Sequence, residues 1–188
     1  MSSARDQIIE ATCDLIESQG FHATGLNQIV KESGAPKGSL YYYFPEGKDA
    51  IAEAAIARAG QTVAERILAS LVSADAARGI PAFVESIAYF VEASGFRSGG
   101  PLTTVAMETA TTNDRLNQAC RAAYRQLRGA FEAKLAESGY AQPDALATFI
   151  TAAIEGGIIL SRVYHTGDPL RQVAAQIGRF LKTMDRED

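Results

Sequence analysis

The sequence predicts an all-α fold of about nine helices, on three observations. The first is composition: among 188 residues there are 33 alanines, six prolines and no tryptophan, and alanine is the best helix former. The second is periodicity. Apolar residues recur at spacings of three and four along most of the chain, and no segment alternates as a strand would. The third is punctuation: glycine and proline fall where one periodic stretch stops and the next begins.

The first helix is carried by Ile8, Ala11, Thr12, Leu15 and Ile16 on one face, with Ser3 as N-cap and Gly20 as its stop. Thr24 is expected to cap the second helix, whose inner face is Leu26, Ile29 and Val30, and Gly34 to end it. Pro36 suits the first turn of a third helix that runs to about Tyr43, and Pro45 blocks its continuation. The link between the second and third, Ser33-Gly34-Ala35-Pro36, is short and contains glycine, as a helix-turn-helix requires. Gly47 and Lys48 open a long fourth helix reaching about Val72, and residues 75–81 are expected to be a break. Phe83, Val84, Ile87, Phe90 and Val91 mark a fifth helix, and residues 94–101 the clearest loop. A short helix from Leu102 to Ala110 precedes a long one capped by Asn113 or Asp114 that reaches about Ser138. The eighth runs from about Pro143 to Tyr164, and the ninth starts with Asp168 as expected N-cap and Pro169 in its first turn.

Composition and charge exclude several classes. Hydrophobic residues are 47% and charged residues 21%, ordinary for a globular chain and not for a disordered one. The formal net charge is −4, so contact with nucleic acid would have to come from a local surface. Cys13 and Cys120 are far apart and form no metal-type pair, and the only histidines are His22 and His165. No Gly-rich nucleotide loop, H-E-x-x-H or convincing His–carboxylate pair is present, so neither an enzyme nor a cofactor or metal site is expected. No apolar run approaches ~20 residues and the N-terminus lacks a signal peptide's apolar stretch, so the expectation is a reduced, cytoplasmic protein without a membrane span.

The third helix carries the functional signal. Leu40 and Phe44 are four apart and point inward, leaving Gly38 and Tyr42 on the opposite side, Tyr41 beside them and Lys37 at the start. Such a surface can hydrogen-bond phosphates and base edges, and Gly38 permits close approach of the backbone. The bland alternative is that the three tyrosines only pack. One helix face cannot bury three consecutive side chains, and Tyr43 is the expected packed one.

These residues resemble the DNA-binding domain of the TetR family of transcriptional regulators. The resemblance covers about residues 5–60: the junction Gly20, Phe21 and Thr24, the core from Ile29 through Phe44, and Lys48. It departs at Pro36, where serine is frequent, and at Tyr43, where histidine is common. The C-terminal part is similar to the LmrA/YxaF-like subgroup through residues 44–48, Gly100-Pro101-Leu102, Val105–Glu108, Glu155-Gly156-Gly157 and Asp168-Pro169-Leu170. The resemblance implies phosphate contacts at Thr24, Tyr41 and Lys48, and positions at or near base edges for Gly25, Lys37, Gly38, Ser39 and Tyr42. It implies a DNA-binding domain over residues 1–48, and a ligand-binding and dimerisation domain over 49–188. It also implies a double-stranded DNA operator as partner, a homodimer through the last two helices, and release of DNA by a small-molecule effector. Charge sits oddly with this, because residues 1–50 hold four basic and seven acidic side chains. Few phosphates are then neutralised, and a shallow salt dependence is expected.

Residues for a ligand cavity are apolar with a few polar groups among them: Phe83, Ile87, Phe90, Thr104, Met107, Glu108, Tyr124, Leu127, Glu155 and Ile158. Each aromatic among them is equally a core residue. Glu108 and Glu155 stand out as carboxylates in apolar stretches, with pairing to an arginine or simple exposure as the alternative. The eighth helix is apolar on two sides, so one side is free for a second subunit or for the centre of a monomeric bundle. The dimer candidates there and on the ninth helix are Phe149, Ala153, Gly157, Leu160, Ile177 and Leu181.

Overall fold

A computed structural model describes residues 3–72 and 75–185. Among these residues there are nine α-helices and no strand: α1 Ala4–Gln19, α2 Leu26–Ser33, α3 Lys37–Tyr43, α4 Lys48–Leu71, α5 Ala76–Ala93, α6 Thr103–Thr109, α7 Asp114–Glu137, α8 Pro143–Tyr164 and α9 Asp168–Thr183. They fall into two compact units. The first is Met1–Gln61 with Gly100–Tyr124, and the second is Thr62–Gly99 with Arg125–Asp188.

In the first unit, Ser3 caps α1 as its sequence position predicts: its hydroxyl accepts from the Asp6 backbone N–H at 3.1 Å. Gly20 ends α1 at φ 88°, a left-handed backbone that favours glycine. α1 packs against α2, α3 and α6. The core between them is Ile8, Ile9, Leu15, Ile29, Ala35, Leu40, Phe44, Ile51 and Ala55. Fully burying an Ile or Leu contributes roughly 1.5–3 kcal/mol each, so this cluster suffices to fix short helices that would not hold alone.

The second unit is built on α5 packed against α9, with α8 against both. Tyr140 is buried and its hydroxyl donates to the Leu181 carbonyl at 3.1 Å, tying the chain before α8 to the last turn of α9. α8 is 22 residues long, and an 18-residue window within it has mean hydropathy 1.5, long and apolar enough by composition to cross a membrane. Its inner side, Leu146, Ala147, Ile150, Ile154, Gly157 and Ile158, is buried within the unit, as in a core helix of a folded domain.

Three expectations about the elements change. Gly25, not Thr24, is the N-cap of α2, and no side chain caps that end. The Thr24 hydroxyl turns inward and donates to the Gly20 carbonyl at 2.7 Å. The break expected at 75–81 does not reach past Asp75, which caps α5 by accepting from the Ala77 N–H at 2.9 Å. Pro81 therefore lies inside α5. Gly178 of α9 lies over it, where an added Cβ would come within 3.1 Å of Pro81 Cγ. Proline donates no backbone hydrogen bond there, and the glycine leaves room for its ring against α9. Finally, Asp168 is the first residue of α9 and Gly167 its N-cap. The N-cap residue is held from another helix: Glu92 of α5 accepts from the Gly167 N–H at 2.9 Å and pairs with Arg171 at 2.7 Å.

Candidate nucleic-acid interface

The site is built on the α2–turn–α3 segment. Gly34 reverses the chain in the left-handed region at φ 63°, which releases α3 from the line of α2. α3 has seven residues and one buried anchor, Leu40, while Phe44 just beyond it is also buried. The opposite face is open. Tyr42 is 79% exposed and Tyr41 51%. Lys37 and Gly38 are exposed as well, and Ser39 is half-buried. Tyr43, expected to pack, is also exposed, at 40%. Its ring meets Tyr42 edge-on at 5.0 Å between centroids, because Leu40 and Phe44 already fill the core beneath. An added Cβ at Gly25 or Gly38 would meet no atom within 4 Å. Neither glycine is demanded by the fold, and both leave bare backbone at the surface.

The residues ahead of α2 form a corner, Gly20 to Gly25. The Thr24 side chain is buried there, so this residue presents backbone rather than hydroxyl. Gln19 braces the corner by donating to the Ala23 carbonyl at 3.0 Å and to Gln28 Oε1 at 2.9 Å. Lys48, at the start of α4, lays its ammonium over the Phe21 ring at 4.2 Å and donates to the His22 carbonyl at 3.4 Å. Desolvation pulls the Lys48 pKa below its ordinary value, with Asp49 and Glu108 acting against the shift.

Two features of this unit have partners that the sequence did not indicate, although Glu108 itself stood out there as a carboxylate in an apolar stretch. Glu108 of α6 reaches the corner from 87 residues away, its Oε2 accepting from the Phe21 N–H at 2.6 Å and from the His22 N–H at 3.2 Å. The start of α7 holds the segment after α3. Asn113 donates to Asp49 Oδ2 at 2.8 Å, and Arg115 pairs with Glu46 and Glu53. On α1, Asp6 pairs with Arg58 at 3.0 Å. Its hydrogen bond with Ser3, more than Arg58 itself, lowers its pKa.

The cavity candidates fall in both units. In the first, Thr104 and Tyr124 are half-buried, Met107 is 80% exposed and the Glu108 carboxylate is engaged by the two backbone N–H groups. In the second, Phe83, Ile87, Leu127 and Ile158 are buried and Glu155 is half-buried. Phe83 stacks edge-on with Phe131 at 5.9 Å, and Phe90 is exposed beneath the Arg66 guanidinium at 5.4 Å. Of the dimer candidates, Phe149 and Leu160 are exposed and Ala153 is half-buried. Gly157, Ile177 and Leu181 turn inward instead. An added Cβ at Gly157 would come within 3.0 Å of Leu170, so this glycine serves α8–α9 packing within the chain. Ile159, Val163 and Tyr164, which belong to the two apolar stripes of the eighth helix read from the sequence, are exposed as well.

Burial pushes the Cys13 thiol up to about 12, and Sγ donates to the Ala55 carbonyl at 3.3 Å. Burial also raises Cys120. Neither has the thiolate character of a reactive cysteine.

Residues 8–55 match the family model described as bacterial regulatory proteins, tetR family. Residues 76–176 match the C-terminal domain of LmrA/YxaF-like transcriptional regulators. The chain is 40% identical over 177 residues to the uncharacterized HTH-type transcriptional regulator YxaF of Bacillus subtilis (strain 168), covering 93% of each chain. It is 36% identical over 182 residues to the HTH-type transcriptional regulator LmrA of the same organism, covering 95% of this chain and 97% of that one. In fold it is similar to a TetR transcriptional regulator from Legionella pneumophila, with a TM-score of 0.84 at 20% identity over 96% and 98% of the two chains. It is also similar to one from Chloroflexus aurantiacus, with a TM-score of 0.81 at 25% identity over 98% and 97%.

Proposed function

The chain belongs to the TetR family of bacterial regulatory proteins, and on that premise we propose that it is a repressor released from DNA by a small molecule. It is a helix-turn-helix transcription regulator and not an enzyme. In the proposed scheme it works in the cytoplasm as a homodimer, each subunit placing α3 in one half of a pseudo-palindromic operator. Residues 1–48 bind DNA, and residues 49–188 bind the effector and the second subunit.

The observation that carries this reading is the outward face of α3. A seven-residue helix with one buried anchor leaves Lys37, Gly38, Tyr41 and Tyr42 in solvent, where no hydrogen bond or ion pair among the described residues engages their side chains. In the major groove they supply one cation, close backbone approach and two hydroxyl-bearing rings. The dimer reading is supported by Phe149, Ile159, Leu160, Val163 and Tyr164, an exposed apolar stripe on one helix.

The test is anisotropy of a dye-labelled duplex, selected by the protein from a random pool, titrated at two salt concentrations with excess unrelated DNA. The expected result is tight, saturable, selective binding at two subunits or a small multiple per site, weakening only gently with salt. In the same assay, Tyr42→Ala lowers discrimination between selected and unrelated duplex. Lys48→Ala weakens both about equally. If neither substitution changes binding, α3 and its flank are not the reading surface.

A further inference from the structure

One carboxylate ties the corner before α2 to α6. Both N–H groups of Phe21 and His22 donate to the same oxygen, Oε2 of Glu108, at 2.6 and 3.2 Å. The other oxygen lies against Gly20, where a Cβ would collide with it. Gly20 is therefore required twice: for its left-handed backbone, and for the room that lets Glu108 reach the corner. What the corner carries depends on this anchor. The Thr24 N–H donates to the Phe21 carbonyl at 3.2 Å, and its hydroxyl donates to Gly20. Gly25 caps α2. Lys48 rests on the Phe21 ring and the His22 carbonyl.

Resting on the regulator reading above, we infer that Glu108 is a positioning residue for DNA binding. It holds the Phe21–His22 backbone, and through it Thr24, Gly25 and Lys48, in the arrangement that meets DNA. Glu108 makes no DNA contact itself. Its acceptor oxygen at that reach matters more than its charge, which also favours the ammonium of Lys48. A carboxylate near a DNA-binding surface repels phosphate, and a role through charge alone would make its removal strengthen binding.

Two conservative variants separate reach from charge. Glu108→Gln keeps the acceptor oxygen at the same distance and drops the charge. Glu108→Asp keeps the charge and withdraws the oxygen by one methylene. Both are titrated against the selected duplex, and hydrogen exchange is followed at the Phe21 and His22 amides without DNA. Glu108→Gln is expected to bind within about three-fold of the parent, while Glu108→Asp weakens by ~10-fold because the corner is no longer preorganised. Exchange at the two amides should speed up in Glu108→Asp and not in Glu108→Gln.

Equal affinity of the Asp variant and the parent overturns the inference. So does a Gln variant as weak as the Asp one, or amide exchange that is indifferent to both changes. A parent protein that selects no duplex sinks the regulator reading, and the inference falls with it. A parent that binds selectively while Glu108→Asp binds as well leaves the regulator reading standing and sinks only Glu108.

Discussion

Leu40 and Tyr42 lie two positions apart on a seven-residue helix, yet one is fully buried and the other is the most exposed ring of α3. The spacing of three and four that places Leu40 and Phe44 inside also places Tyr42 outside, which is why this face was legible in the sequence. Tyr43 was not, because spacing cannot say whether the core still has room. Thr24 read as a cap for the same reason: a hydroxyl just before a helix has two competing acceptors and donors nearby, and here the Gly20 carbonyl won. Gly38 makes a sharp test at this scale. Glycine costs a helix about 0.5–1 kcal/mol relative to alanine, and a Cβ there meets nothing in the chain. Gly38→Ala should raise the melting temperature and, at the same time, weaken binding of the selected duplex. A stabilised variant that binds equally well would remove Gly38 from the interface. Cys13 should resist thiol reagents in the folded protein at pH 8, because burial holds the thiol near pKa 12. Rapid labelling before unfolding would contradict that burial.

Helix boundaries were largely readable, because glycine and proline mark ends through backbone geometry that acts within a few residues. α8 begins at Pro143 and ends at Tyr164, the limits that its flanking residues predict. Two boundaries were misread where the deciding contact is non-local. Pro81 looks like a break until Gly178 of α9 is found above it. Asp168 looks like a cap until Gly167 is found in that place, its N–H held by Glu92, 75 residues earlier. Hydrogen bonding to Arg171, followed by the bond from Gly167, holds the Glu92 carboxyl below its ordinary pKa. A depressed carboxylate adds stability above its unfolded pKa and loses it as pH falls through the folded value. Glu92→Gln should therefore melt lower than the parent at pH 7. The gap should narrow as the pH drops below the usual glutamate range. Melting curves that stay separated by the same interval down to pH 3 would show that the pairing is not the source.

At the scale of the molecule, the sequence predicted an all-α architecture and the structure has one. The compact units it could not show. The first unit joins the N-terminal helices to residues 100–124, far along the chain, through contacts such as Glu108 with Phe21 that no local pattern encodes. The division of α8 between buried and exposed sides was only partly legible, for a related reason. A helix apolar on two sides does not say which residues face the chain's own core. Gly157, Ile177 and Leu181 face inward, and Phe149, Leu160 and Val163 are left exposed, where the second subunit is proposed to dock. Val163→Glu places a charge in that stripe and should shift the sedimenting species from two subunits to one, while leaving the helical circular dichroism unchanged. An unaltered dimer would move the interface elsewhere.

The crowding of tyrosines on α3 has an optical consequence. The chain has seven tyrosines and no tryptophan, so no indole drains their excitation. Three of the seven are consecutive and exposed on one short helix. A large share of the protein's ultraviolet emission therefore originates where DNA is proposed to dock. Bases stacking or hydrogen-bonding there would dim it, so occupancy of the helix is readable in the unmodified protein, with no dye attached to either partner.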